Sequence, residues 1–169
     1  MNLPEINQED LLVKKEQLDI LLSPYYSGIF LLLDGIISID EDKREIVAYK
    51  EIGVADPTLV GHMKNKVCSG LFSAEYFTHA CIFLILKMFP KLKGEPRIAD
   101  IHISFKGEIR SGDKIRIFAK LIRIEKTTFF FTGHLVNQYD EKVMILNSMN
   151  GRLLSQGILA RAKRFLLKK

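Results

Sequence analysis

Residues 61–89 read GHMKNKVCSGLFSAEYFTHACIFLILKMF, and the second half of that stretch decides the fold. From Gly70 onward it is almost uniformly apolar, with only Glu75, His79 and Lys87 able to carry charge. A helix that is hydrophobic nearly all round belongs in the middle of a domain rather than on its surface. Ser69 suits the N-cap, because its hydroxyl can accept a hydrogen bond from the unpaired amides of the first turn. Glu75 sits one turn into this helix and His62 lies just before its start. A carboxylate in an apolar helix and an imidazole in the loop feeding it are the first candidates for chemistry.

Working outward, residues 7–22 (NQEDLLVKKEQLDILL) interleave leucines and isoleucine with charges, which predicts an amphipathic helix stopped before Ser23-Pro24. Residues 28–39 are rich in Ile, Leu and Phe and read as a strand, or a strand pair broken near Asp34-Gly35. Asp40-Glu41-Asp42-Lys43 is a turn signal, and residues 45–52 return as a second strand. Asp56-Pro57 opens an irregular segment leading to His62. Beyond the helix, residues 90–96 form a Lys-, Gly- and Pro-containing loop, and the remainder alternates with period two. Ile101, Ile103 and Phe105 share one face; Ile115, Ile117, Ala119 and Leu121 share another. Phe129, Phe131, Gly133 and Leu135 continue the pattern, and residues 143–149 make the last strand. Ser111-Gly112-Asp113 and Tyr139-Asp140-Glu141-Lys142 mark the turns. Several antiparallel strands and one long hydrophobic helix imply an α+β domain with a sheet curled around that helix. The expected organisation is an N-terminal amphipathic helix over 1–22 packed on the domain, a main domain over 23–155, and a basic C-terminal tail over 156–169.

The chain has 169 residues, 47% of them hydrophobic, enough for one well-packed domain. The uninterrupted apolar run after His79 covers only residues 80–86, far below the roughly 20 residues that a bilayer requires. No charged start followed by an apolar run and a small-residue cleavage site opens the chain, which argues against secretion. Cys68 and Cys81 are too few for a disulfide framework and read as reduced thiols in a cytoplasmic protein. The net charge of +5 is local: residues 161–169 (RAKRFLLKK) hold five basic side chains, leaving 20 Lys and Arg against 20 Asp and Glu in the body. A nucleic-acid groove places its excess charge within the folded body, so nucleic acid is not an expected partner.

Among the titratable groups, His62 follows Gly61 in a loop, where histidines are commonly just solvated. Glu75 must be paired, hydrogen-bonded or protonated at a raised pKa, because its surroundings are apolar on both sides. A carboxyl group of the last kind is suited to general-acid work. His79 lies one turn after Glu75 on the same helix face, where it orients the carboxylate or satisfies a buried hydrogen bond, the plainer expectation. Cys68 precedes a helix N-terminus, which lowers a thiol pKa, but a small buried hydrophobe is the simpler reading. Neither a metal-ligand spacing nor a glycine-rich phosphate loop is present, so no cofactor is expected.

The stretch IGVADPTLVGH, a short loop and then GLFSAE resembles the active-site region of the β-hydroxyacyl-ACP dehydratases, which have the hotdog fold. LLSPYYSGIFLLLDGIISID is similar to that family's N-terminal segment, and FKGEIRSGDKIRI resembles its later strand entry. The resemblance covers about residues 20–150 in the right order. It implies a long hydrophobic helix wrapped by a curved antiparallel sheet, and a homodimer with active sites at the interface. By position it implies His62 and Glu75 as catalytic residues and Gly70 as the glycine whose amide holds the thioester carbonyl. Leu71, His79 and Asn65 are the accompanying substrate-binding candidates. Met63, Lys64 and Asn65 replace the family's Phe-Pro-Gly, and His79 stands where glutamine is usual. Asp56, Gly61, His62 and Asn65 loosely resemble the Asp…Gly-His-x-Asn segment of hotdog acyl-CoA thioesterases. The expected ligand is an acyl-CoA or acyl-ACP thioester. The expected activity is dehydration, hydration or thioester hydrolysis; a non-catalytic acyl-thioester binder with a regulatory role is the alternative.

Overall fold

A computed structural model describes residues 6–26, 30–60, 66–91 and 94–154. The elements are β1 (Val13–Lys14), α1 (Lys15–Leu22), β2 (Gly35–Asp40), β3 (Glu45–Glu51), α2 (Gly70–Ser73), α3 (Glu75–Met88), β4 (Glu95–Phe105), β5 (Lys114–Glu125), β6 (Thr128–Val136) and β7 (Lys142–Leu154). The strands form one antiparallel sheet in the order β1-β2-β3-β5-β6-β7-β4. This is the α+β architecture expected from the sequence, a sheet packed around one central helix.

Period-two patterning places the core. Ile115, Ile117, Ala119 and Leu121 of β5 are all buried, and register pairs Ile117 with Ala48 and Ala119 with Ile46 of β3. Against this surface lies α3, whose Tyr76, Phe77, Ala80 and Leu84 are fully enclosed. Each large apolar side chain so buried contributes about 1.5–3 kcal/mol relative to exposure. The run Gly70–Met88 is long and apolar enough to cross a bilayer by composition alone, yet 67% of its most apolar window is inside the protein. On β4 the expected face is interrupted by a bulge between His102 and Ile103. Even so, Ile101, Ile103 and Phe105 oppose Met149, Leu146 and Met144 in turn.

The N-terminal segment departs from the expected single helix. Gln8–Asp10 form one 3-10 turn, Val13 and Lys14 pair with Ile36 and Gly35, and only Lys15–Leu22 is α-helical. The reason lies in Leu11 and β-branched Val13, which are used to close the sheet edge beside β2. Leu11 sits where a Cβ on Gly35 would fall, 2.6 Å from its Cδ1, so glycine at that position admits the closing segment.

A buried polar network ties β3 to the start of the helix. Lys50 Nζ, on β3, lies 2.9 Å from Asp56 and 3.3 Å from Asp34. Burial pulls its pKa down, but the two carboxylates outweigh it and the net shift is upward. Asp56 Oδ1 accepts from the Thr58 amide at 3.0 Å and from its hydroxyl at 2.7 Å. Thr58 Oγ1 also lies 3.1 Å from Tyr76 Oη and 3.0 Å from Cys68 Sγ. A hydroxyl has one proton and two lone pairs, so with that proton on Asp56 the phenol and the thiol are the donors. Burial pushes the Cys68 thiol up to about 11, in keeping with a protonated packing residue rather than a nucleophile. Asp56→Ala leaves Lys50 with Asp34 as its remaining carboxylate partner and unpairs the Thr58 amide and hydroxyl, and is expected to cost about 2–3 kcal/mol in denaturant unfolding. Adding Lys50→Met should restore much of that loss; a double variant no better than the single one would refute the pairing.

Candidate functional site

Ser69 and Ala74 shape the entry to the central helix. Ser69 Oγ accepts the Phe72 amide at 3.4 Å, so the expected N-cap is in place. Ala74 is itself helical in φ and ψ, and joins α2 to α3 through three- and four-residue bonds: its carbonyl takes the amides of Phe77 at 3.1 Å and Thr78 at 3.4 Å. Glu75 and Thr78, three residues apart on α3, share one side of the helix and face a cavity of about 250 Å³. Farther along the same helix, Ile82 and Ile85 continue its wall, and Phe129, Phe131 and Met149 of the sheet close the opposite side.

Glu75 is thus a carboxyl group on the wall of a mainly apolar cavity, which Tyr26, Arg97 and Arg152 also line. Burial raises its pKa, and the nearby Thr78 hydroxyl opposes this in part, although no hydrogen bond of normal geometry joins the two. A raised pKa keeps the carboxyl protonated to higher pH than a surface glutamate, the state a general acid needs.

His79 has a different place. It is fully buried, with Nδ1 2.6 Å from the Glu75 carbonyl and Nε2 2.5 Å from the Phe30 carbonyl. The ring stacks on Tyr26 at 4.0 Å between centroids, and it is Tyr26 that reaches the cavity. His79 therefore fixes the segment after α1 to the helix, in line with the plainer expectation of a satisfied buried hydrogen bond. Burial lowers its pKa, with the two carbonyls pulling the other way.

Gly70 and Leu71 line a second cavity, of about 410 Å³, together with Cys68, Ser69, Phe105 and Ile109. A Cβ on Gly70 would fall 2.7 Å from the ring of half-exposed Phe105, so any larger residue here must displace that ring. Leu71 is 85% exposed. The structure thus assigns Gly70 and Glu75 to different openings of one chain. Gly61, His62 and Asn65 lie outside the described residues. The described ends of their segment are held at the helix start, where the Ser69 amide donates to the Thr58 carbonyl at 2.8 Å and Cys68 to Ile109 at 2.8 Å. Among the described residues no group of three or more His, Cys, Asp or Glu is placed to hold a metal ion.

Sequence reasoning missed Tyr26 and Thr78. The available signal for Thr78 was its spacing of three from Glu75, which places both on one helix face. For Tyr26 there was none, since its place depends on a stack with a ring 53 positions later.

A family model described as the thioesterase-like superfamily matches residues 40–158. The chain belongs to that superfamily. Among curated relatives, the 3-hydroxyacyl-acyl-carrier-protein dehydratase FabZ of Thermotoga neapolitana is 38% identical over 88 residues, 51% of this chain and 61% of the relative. The chain thus spans about three-fifths of that relative's length. Among solved structures, the dehydratase heterocomplex ApeI:P from Xenorhabdus doucetiae matches with a TM-score of 0.67 at 14% identity, over 81% of this chain and 91% of that one. A hypothetical thioesterase from Streptococcus pneumoniae, solved with coenzyme A, matches with a TM-score of 0.57 at 11% identity, over 72% and 85%. The hotdog fold expected from the sequence is the fold this chain has in common with these structures.

A lowered folded-state pKa means that the unfolded chain takes up the His79 proton first, so stability falls as pH drops below about 6.5. Glu75 acts with the opposite sign, since its raised pKa makes stability fall as pH rises through that value. His79→Gln should flatten the loss of melting temperature between about pH 6.5 and 5, and an unchanged slope would show that another group causes it. His79→Ala, which removes both backbone contacts and the Tyr26 stack, should cost about 2–4 kcal/mol.

Proposed function

We propose that the protein binds the acyl thioester of coenzyme A or an acyl carrier protein, and acts on it as a β-hydroxyacyl-thioester dehydratase or hydratase. The observation that carries this reading is Glu75: a carboxyl group held toward its protonated form on the wall of a mainly apolar cavity. An acyl chain fits the apolar wall, and the acid stands where a polar group near the thioester would lie.

In the dehydration direction, His62 takes the α-proton and the C–O bond at the β-carbon breaks. Glu75 gives its proton to the departing hydroxyl, which leaves as water. The enoyl thioester remains, and the reverse steps are hydration. Charge growing on the thioester carbonyl is met by the Gly70 amide at the helix start. Gly70 and Glu75 open to different cavities, which favours a site assembled from two subunits, with His62 and Gly70 from one and Glu75 from the other. The free edge of β4 supports the pairing. Among the described strands it bonds only to β7, it runs the full eleven residues Glu95–Phe105, and Ile98 and Phe105 are exposed along it. Long uncovered edges invite another strand. Met63, Lys64 and Asn65, which depart from the dehydratase pattern after the histidine, favour a second reading as a non-catalytic acyl-thioester binder.

Purified protein incubated with β-hydroxyacyl, enoyl and saturated acyl thioesters decides between these. Gain or loss of enoyl absorbance reports dehydration or hydration, and thiol release reports hydrolysis. Melting-temperature shifts with neither signal would support the binder and overturn the enzyme. His62→Ala and Glu75→Gln should each lower dehydration by at least about a hundredfold. Co-refolding the two inactive variants should return roughly a quarter of wild-type activity, because half the random dimers are mixed and each carries one intact site. No recovery would place both residues in one subunit's site.

A further inference from the structure

One group at the cavity remains without a task. Thr78 is 4% exposed and lines the chamber next to Glu75, and its Oγ1 has no hydrogen-bond partner among the described residues. A threonine in a helix interior usually bonds back to the carbonyl four residues earlier. Here that carbonyl belongs to Ala74 and already receives two amides. Ile82, Ile85, Phe129, Phe131 and Met149 offer no acceptor, and although the Glu75 carboxyl and the Tyr26 hydroxyl also line the cavity, neither makes a hydrogen bond of normal geometry with Thr78 Oγ1. Buried hydroxyls without a partner are uncommon and unfavourable, and valine would fill the same volume without that defect. A hydroxyl kept at this place is therefore accounted for by a partner that arrives with the ligand.

We propose that Thr78 is a specificity-determining residue, donating its hydroxyl hydrogen to the β-oxygen of the bound acyl chain and so selecting β-oxygenated over saturated acyl thioesters. The inference rests on the acyl-thioester reading above. Thr78 lies three residues beyond Glu75, about 4.5 Å along the helix axis and on the same side. An oxygen between the two receives the threonine hydrogen bond and turns a lone pair toward the Glu75 proton. Thr78 itself exchanges no proton. A saturated chain in the same chamber leaves the hydroxyl unpaired, so it binds more weakly for the same apolar contact.

The test uses full-length protein carrying Glu75→Gln to suppress turnover, with calorimetric titration of β-hydroxyoctanoyl-CoA and octanoyl-CoA. The Glu75→Gln protein should prefer the hydroxylated thioester by about tenfold or more. Adding Thr78→Val should abolish that preference by weakening the hydroxylated ligand while leaving octanoyl-CoA within about twofold; Thr78→Ser should keep it. Melting temperatures of the valine variant equal to or above the parent's would show that the loss is not misfolding. If the valine substitution weakens both ligands equally, or neither, the proposed role of Thr78 is wrong while acyl-thioester binding stands. If neither thioester binds even wild-type protein, the acyl-thioester reading fails and this inference fails with it.

Discussion

The constraint on which this structure depends is the burial of α3 on nearly every side. Over its buried span, Tyr76–Ile85, such a helix cannot accommodate polar groups casually, so each one there has a structural or chemical consequence. Tyr76 joins the Thr58 network, His79 meets two backbone carbonyls, and Glu75 and Thr78 face a cavity. The sheet supplies the burial and the helix supplies the chemistry. Neither has a function apart from the other, because the raised pKa of Glu75 is a property of the enclosure.

Polar interactions around the helix divide into two groups. Those of Lys50, Asp34, Asp56, Thr58, Tyr76 and Cys68 are mutually satisfied, and they fix β3, the segment after it and the helix start in one arrangement. Such a network rigidifies because any member left alone would be a buried unpaired group. On the cavity side, Thr78 Oγ1 has no hydrogen-bond partner among the described residues, and burial raises the pKa of Glu75. The first group holds the frame and the second confronts whatever enters. That division matches the general finding that function sits where local consistency is broken.

Much of this was legible in the sequence. The apolar helix, the Ser69 cap, the period-two strands and the awkward carboxylate of Glu75 all follow from local patterning and have the expected places. The resemblance to dehydratases agrees with the superfamily found by comparison. What could not be read depends on distant partners. Lys50 and Asp56 look like surface charges until β3 and the following turn bring them to 2.9 Å. His79 needs the carbonyl of Phe30, 49 positions earlier. The N-terminal segment was misread because its leucines fit a helical period, while Leu11 and Val13 are used to close a sheet edge. Periodicity describes a segment alone and is silent about the surface it will cover.

The contact between Gly70 and Phe105 reaches beyond packing. The ring belongs to the last residue of the outermost strand, half exposed, and it rests on the first residue of the buried helical run. One side chain therefore spans from the perimeter of the sheet to the point where the helix amides begin. Anything that pairs with the β4 edge at Phe105 therefore also comes to lie beside the Gly70 backbone.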